Sequence, residues 1–186
     1  MFDKLSVAGY EKTSERTDYP PTPGAYNCIA WAANDTHHFL WPQADSDWPF
    51  WSPRIVTRAA FIRAFRGFGY QTCDSSRPEL WFDKVALYEL NQEPKHMARL
   101  RRDGAWTSKC GGAEDIKHFT LDALESYGGR VLTPQGALRK AEYGCPEMYM
   151  KRFIPLGWVV RALQWITWKL ETAFPYVGFW IWKRRQ

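Results

Sequence analysis

Cys28 and His96 have the side chains of a nucleophile and its base, and the surrounding sequence favours that chemistry. Asn27 is a typical N-cap and precedes a run of helix-forming residues, which predicts that Cys28 lies in the first turn of a helix. A helix N-terminus and a nearby imidazolium both stabilise a thiolate. The Cys28 thiolate would attack an amide or ester carbonyl, His96 would protonate the leaving group, and water would release the acyl-enzyme. Hydrolysis, deamidation and transamidation share these steps.

Structural roles for the same two residues remain open at this point. A cysteine in a helix usually packs as a small hydrophobic residue, and Ile29, Ala30 and Ala32 beside Cys28 have the character of a core. His96 taken alone is equally compatible with an ordinary histidine near the end of a strand.

A third member of the site is sought among the polar residues that follow His96. If Asp103-Gly104 forms a two-residue turn, antiparallel pairing places His96 opposite about Gly111, and Asp115 comes close enough to orient the imidazole. Asp115 is equally compatible with a first-turn carboxylate that stabilises a helix. Ser108 and His118 are alternative orienters. The Asn27 side chain, or the backbone amide of Cys28, would stabilise an oxyanion.

The elements that must position these residues alternate between helices and strands. Thr57–Phe68 has the apolar spacing of an amphipathic helix. Before it, residues 37–53 form a loop rich in Trp and Pro, which is either a substrate rim or a surface loop held by aromatic anchors. The other predicted elements are an extended entry segment at 11–24, strands at 84–88, 96–101 and 105–110, a helix at Glu114–Tyr127 and a weaker strand at Val131–Leu132.

The C-terminal part differs from the rest in charge and aromatic content. Residues 146–186 carry seven Lys and Arg and two acids, so they contribute 7 − 2 = +5, the net charge of the whole chain. Gly157–Phe174 is predicted to be a helix with a wide apolar face, and charges interrupt it too often for a bilayer span. Residues 153–182 therefore fit core packing, an interfacial helix with basic anchors at a membrane surface, or a helix that binds a protein partner.

Composition excludes several classes of protein. Hydrophobic residues make up 45% of the chain and charged residues 24%, which is not the composition of a disordered protein. Residues 1–145 have no net charge and no basic stripe, so nucleic acid is not an expected partner. The four cysteines contain no C-x-x-C pair, and the His and Cys residues lack zinc-ligand spacing, so no metal or other cofactor is expected. No secretory signal is visible after Met1, which favours a cytoplasmic protein, with a peripheral membrane protein as the alternative.

Five segments in fixed order resemble an uncharacterised bacterial domain family of NCIAWA...H...WTSK type. They are Tyr26-Asn27-Cys28-Ile29-Ala30-Trp31-Ala32, Lys84-Val85-Ala86-Leu87-Tyr88, His96-Met97-Ala98-Arg99, Gly104-Ala105-Trp106-Thr107-Ser108-Lys109-Cys110-Gly111 and Glu114-Asp115-Ile116-Lys117-His118. That family is in turn similar to the papain-like group that includes the NlpC/P60 amidases. The resemblance implies an α+β fold in which the nucleophile helix packs on an antiparallel sheet. Of the site residues, only Cys28 and His96 transfer from it; Trp31 is a further candidate for a supporting role.

The expected organisation is an N-terminal segment at 1–19, a papain-like cysteine hydrolase domain at 20–145 and a basic, Trp-rich helical extension at 146–186. The function expected from the resemblance is a peptidase or amidase that acts on a peptide or protein, as a bacterial toxin, effector or defence enzyme. Two alternatives stay open. One is deamidase, transglutaminase or lipid acyltransferase chemistry, although in the acyltransferases the His precedes the Cys. The other is a non-catalytic module that binds a protein or a membrane surface.

Overall fold

A seven-stranded antiparallel sheet forms the centre of the computed structural model. The structure describes residues 10–13, 26–110, 115–124, 130–132, 138–140, 143–155, 159, 162–163 and 166. The sheet contains β1 (Tyr10–Lys12), β2 (Gln71–Cys73), β3 (Phe82–Leu90), β4 (Glu93–Leu100), β5 (Trp106–Lys109), β6 (Asp115–His118) and β9 (Cys145–Phe153). Their spatial order is β1-β6-β5-β4-β3-β9-β2. A separate hairpin pairs β7 (Arg130–Leu132) with β8 (Leu138–Lys140).

Two short helices lie on the same side of the sheet. Helix α1 spans Cys28–Ala33, and the Asn27 side chain caps its N-terminus by accepting a hydrogen bond from the Ala30 amide. Helix α2 spans Arg58–Gly67 and is capped in the same way by Thr57. Both caps supply acceptors that the first turn of a helix lacks. The predictions of a helix after Asn27 and of a helix near Thr57–Phe68 are confirmed.

The long segment between the two helices is held by tryptophans. Trp48 is buried with its ring centroid 5.2 Å from that of Phe61 in α2, and Trp41 approaches the same ring at 5.7 Å. Trp51 donates a hydrogen bond from Nε1 to the Ala64 carbonyl. Of the two interpretations of residues 37–53, these contacts favour a surface loop held by aromatic anchors.

The central strands separate two hydrophobic cores. One core contains α1, α2 and the side chains of Val85, Leu87 and Met97. The other contains Ala86, Tyr88, Ala98 and further residues of β5 and β6 on the opposite face. Successive side chains of a strand point to opposite faces, so each of these strands contributes to both cores.

The predicted α+β papain-like fold is wrong. The described residues form a predominantly antiparallel β fold, and the α-helices that can be delimited within it are two short ones. The predicted helix at Glu114–Tyr127 accounts for part of the error, because Asp115–His118 is strand β6 and a single 3-10 turn follows at Asp122–Leu124. Strand β6 pairs with both β1 and β5, and this pairing outweighs the local preference for a helix.

The first part of the predicted helical extension, residues 146–153, belongs to strand β9, and the described positions after it are helical. Strand β9 ends at Phe153, and the backbone is helical at 154–155, 159, 162–163 and 166. The predicted helix over Gly157–Phe174 therefore agrees with the four described positions that it contains, and the remainder lies outside the described residues. No helix among the residues described is long and apolar enough to cross a bilayer.

Candidate functional site

The sheet divides the predicted site residues into two groups. Met97 belongs to the core that contains Cys28, whereas His96 packs against Tyr88, which belongs to the core on the opposite face. Strand β4 therefore places the nucleophile and its predicted base on opposite faces. Asn27, Trp31 and Asp115 lie with Cys28, and Ser108 and His118 lie with His96. Cys28 and His96 therefore do not form a nucleophile–base pair in the structure.

Cys28 occupies the predicted position at the start of α1, but its thiol is buried. Burial raises the pKa of the Cys28 thiol to about 11, and hydrogen bonds with the backbone of Met97, Cys28 and Ile29 offset only part of that effect. The thiol is therefore protonated near neutral pH. A helix of six residues also provides a small dipole, which does not compensate for this desolvation.

We expect iodoacetamide at pH 7.5 to modify Cys145 much faster than Cys28. Cys145 is exposed, whereas Cys28 and Cys110 are buried, and the thiolate is the species that reacts. Peptide mapping by mass spectrometry after timed quenching would give the rate at each site. In guanidinium chloride the four cysteines should react at similar rates. Modification of Cys28 in the folded protein at the rate of Cys145 would contradict its burial and support the hydrolase hypothesis.

Asp115 forms part of a polar cluster beside the N-terminus of α1. Its Oδ2 accepts a hydrogen bond of 2.7 Å from the hydroxyl of Tyr26. The fully buried Lys109 places its Nζ 4.7 Å from the centroid of the Tyr26 ring, and its Cα pairs with that of Asp115 across β5 and β6. Asp115 therefore ties the segment before α1 to the sheet rather than orienting His96.

His96 lies in an aromatic environment on the other face. Its ring stacks on Tyr143 with centroids 4.2 Å apart and meets Tyr88 edge-on at 5.5 Å. Neither ring nitrogen has a hydrogen-bond partner within the described part of the chain. Burial, and to a smaller extent the charge of His118, lowers the pKa of His96 to about 3. His96 is therefore neutral at physiological pH.

Ser108 and His118 form a hydrogen-bonded pair in the same core. His118 Nδ1 lies 2.7 Å from the Thr120 carbonyl, which can only accept, so Nδ1 carries the proton. Nε2 is then an acceptor, and the Ser108 hydroxyl donates to it across 3.1 Å. This is the connectivity of a serine and its base, but both side chains are fully buried. Burial lowers the pKa of His118 to about 4. The pair satisfies internal polar groups and has no access to substrate in this structure.

The loop between β4 and β5 is one residue longer than predicted, which changes the register of the two strands. Arg101 donates its amide hydrogen to the Ala105 carbonyl, and Gly104 adopts a positive φ of 82° within the intervening loop. The loop therefore contains three residues rather than the predicted two, and Arg99 pairs with Thr107. Continued along the strands, this register sets His96 opposite Cys110 instead of Gly111. A one-residue slip exchanges the two faces of a strand, so the residues that follow Cys110 do not meet His96 as the two-residue turn predicted.

A polar cleft beside α1 was not predicted from the sequence. It has a volume of about 500 Å³, and its polar wall includes Asn34, Arg99, Arg101 and Arg102. Arg99 and Arg101 are two residues apart at the end of β4, a spacing that places side chains on one face of a strand. The sequence does contain the short cluster Arg99, Arg101 and Arg102, but this cluster is too short to be the basic stripe of a nucleic-acid-binding protein.

No group of three or more His, Cys, Asp and Glu side chains in the described ranges is arranged to hold a metal ion.

The fold and the two polar clusters define a domain with an antiparallel β-sheet, two small helices on one face and buried polar residues on both. The chain belongs to a family described as a domain of unknown function, DUF7689, whose model matches residues 16–151. The prediction of an uncharacterised family is thereby confirmed. No curated protein and no solved structure matches the chain, and nothing in these comparisons supports a papain-like relationship.

Proposed function

We propose that this protein is a non-catalytic module that binds an anionic membrane surface through its C-terminal helical extension. The observation that carries the proposal is a row of exposed apolar side chains. Val159, Leu163 and Ile166 are 57%, 58% and 46% exposed. Ala162 is exposed as well and completes the spacing of i, i+3, i+4 and i+7, which defines one face of a helix.

The composition of the extension suits a bilayer interface. Residues 154–186 contain five of the 11 Trp residues of the chain, and Trp prefers the boundary between lipid tails and headgroups. The same residues carry five Lys and Arg against one acid, for a net charge of 5 − 1 = +4. An apolar helix face together with this charge favours a surface that is both apolar and negative, which is the chemistry of anionic lipid.

The arrangement of the sheet supports binding rather than thiol chemistry. Catalysis by Cys28 would require a base within hydrogen-bond reach and a thiol that ionises near neutral pH. His96 and Cys28 lie on opposite faces of β4, and burial raises the pKa of the Cys28 thiol to about 11. These two observations are the reason for preferring a binding module to a cysteine hydrolase.

We expect Leu163→Glu to weaken vesicle binding by about tenfold or more, because a charged side chain replaces an apolar one on the face that enters the interface. Cosedimentation with phosphatidylcholine vesicles containing phosphatidylglycerol would measure the partition coefficient. Leu80→Glu is the matched control, since Leu80 is 83% exposed and belongs to the loop before β3. It should bind like the unmodified chain.

Two results would overturn the proposed function. One is equal binding by Leu163→Glu and the unmodified chain, which would mean that the row of apolar residues does not enter the lipid. The other is no preference for phosphatidylglycerol over pure phosphatidylcholine at low salt. Concentration-dependent self-association that Leu163→Glu abolishes, without vesicle binding, would instead assign this face to a second copy of the chain.

A further inference from the structure

The cleft beside α1 lies where a helix and a strand end together. Asn34 caps the C-terminus of α1 in the left-handed conformation, with φ of 63°, and Arg99 approaches it from β4. The cleft volume of about 500 Å³ falls within the range of small-molecule sites.

The charges around the cleft leave a positive excess. Three arginines and two aspartates belong to its lining. Asp83 accepts a hydrogen bond of 3.1 Å from the buried Arg152, and Asp103 lies 3.9 Å from both Arg101 and Lys117. Each aspartate therefore lies near a cation, and two of these cations, Arg152 and Lys117, are not part of the lining. The cleft is suited to an anion.

Arg99 lines this cleft and has one donor without an acceptor. Its Nη1 donates to the Asn34 side-chain oxygen, whereas Nε is buried and has no hydrogen-bond partner among the described residues. Nε and Nη2 form the edge of a guanidinium that binds two oxygens of one anion side by side. A buried donor without an acceptor lowers stability, so an oxyanion that the Arg99 side chain turns to meet would relieve an existing cost.

The lining of the cleft also contains apolar side chains. Trp31 is one of them, and the Trp31 ring stacks on Tyr26 at 6.1 Å while Nε1 donates to the Thr107 hydroxyl at 3.2 Å. Leu100 and Ile154 are the other apolar residues of the lining. A ligand that fits both parts of the lining has an oxyanion joined to an apolar group.

We propose that this cleft binds the phosphate group of an organic phosphate monoester, with the phosphate on Arg99 and the organic group against Trp31. Three arginines favour a phosphate dianion over a single carboxylate. A soluble phosphate ester and a phosphatidic acid headgroup offer the same chemistry. The site is separate from the row of apolar residues on the C-terminal extension, so it does not depend on the proposed membrane function.

Isothermal titration calorimetry of the full chain with phenyl phosphate tests the proposal. We expect binding that weakens by at least about tenfold in Arg99→Lys, which keeps the charge and loses the two-donor edge. Arg63→Lys, an exposed arginine of α2, is the matched control and should bind like the unmodified chain. Benzoate should bind much more weakly than phenyl phosphate. If Arg99→Lys does not fold, Arg101→Met and Arg102→Met at exposed positions should each weaken binding several-fold.

Two outcomes would overturn the phosphate site. They are the absence of detectable binding at millimolar phenyl phosphate, and binding that the arginine substitutions leave unchanged. A further titration with soluble short-chain phosphatidic acid distinguishes the two sources. Tighter binding than that of phenyl phosphate, if Arg99→Lys weakens it, assigns the site to a lipid headgroup, and weaker binding assigns it to a soluble ester.

Discussion

Acidification from pH 7 to pH 4 is expected to remove most of the folding stability of this protein, because two histidines gain protons readily in the unfolded chain but resist protonation where the fold buries them. Burial lowers the pKa of His96 to about 3 and that of His118 to about 4, from an ordinary value of 6.5. In the unfolded chain both rings are protonated below pH 6.5, so the unfolded state binds more protons than the folded state. The stability is therefore fully present above pH 6.5 and falls as the pH decreases towards 4 and 3.

The size of this effect is comparable with the total stability of a domain. Between pH 6.5 and pH 4 the two histidines together are expected to lower the free energy of unfolding by on the order of 6 kcal/mol. Natural domains have about 5–15 kcal/mol in total. Urea unfolding followed by circular dichroism at several pH values would measure the slope.

His96→Phe separates the contribution of this residue from that of His118 and of the carboxylates. Because neither nitrogen of His96 has a hydrogen-bond partner among the described residues, a phenyl ring can stack on Tyr143 without losing a bond. The variant should be about as stable as the unmodified chain at pH 7 and should lose roughly half of the acid sensitivity. His37→Phe, at an exposed position, is the control. A pH dependence that is unchanged in His96→Phe would show that His96 is not buried as described.

Arg152→Met is expected to destabilise the protein by about 3–5 kcal/mol, because it leaves a carboxylate without its cation. Arg152 is fully buried in β9 and donates to Asp83 Oδ2 and to the Phe68 carbonyl, each at 3.1 Å. Its guanidinium carbon also lies 4.4 Å from the centroid of the Tyr70 ring. The free energy of unfolding from urea denaturation at pH 7 measures the loss.

Two further variants test the cause of that loss. In the Arg152→Met background, Asp83→Asn should restore part of the stability, since it removes the uncompensated charge. Lys151→Met removes the neighbouring cation, which is 30% exposed and pairs with Glu79 at 2.6 Å, and should cost no more than about 1 kcal/mol. Equal losses from Arg152→Met and Lys151→Met would contradict a special role for the buried ion pair.

The elements that could be predicted from the sequence are those whose pattern is local. Helix α1 begins at a capping Asn27, α2 follows the 3.6-residue period, and the centre of β3 is a short apolar run. Strand β6 was predicted as a helix because Asp115–His118 is too short to show a period of two. Its conformation is determined by pairing with β5 and with β1, which is distant in sequence.

The candidate site could be predicted only in part, for a related reason. The cap on α1 and the strand that carries His96 follow from nearby residues, whereas the face that His96 occupies depends on its neighbours Tyr88 and Met97. The charge cluster at Arg99, Arg101 and Arg102 was visible in the sequence. These arginines lie close to Trp31 and Asn34 because α1 packs against β4, and no local sequence pattern predicts that packing.

Strand β5 couples the unfolding of the two sides of the domain. All four of its residues are buried, and they alternate between the core that holds Cys28 and the core that holds His96. The same four residues thus complete both layers, so melting of either layer exposes β5 and removes support from the other. The two layers should therefore unfold together in one cooperative transition, even though their chemistry is kept apart.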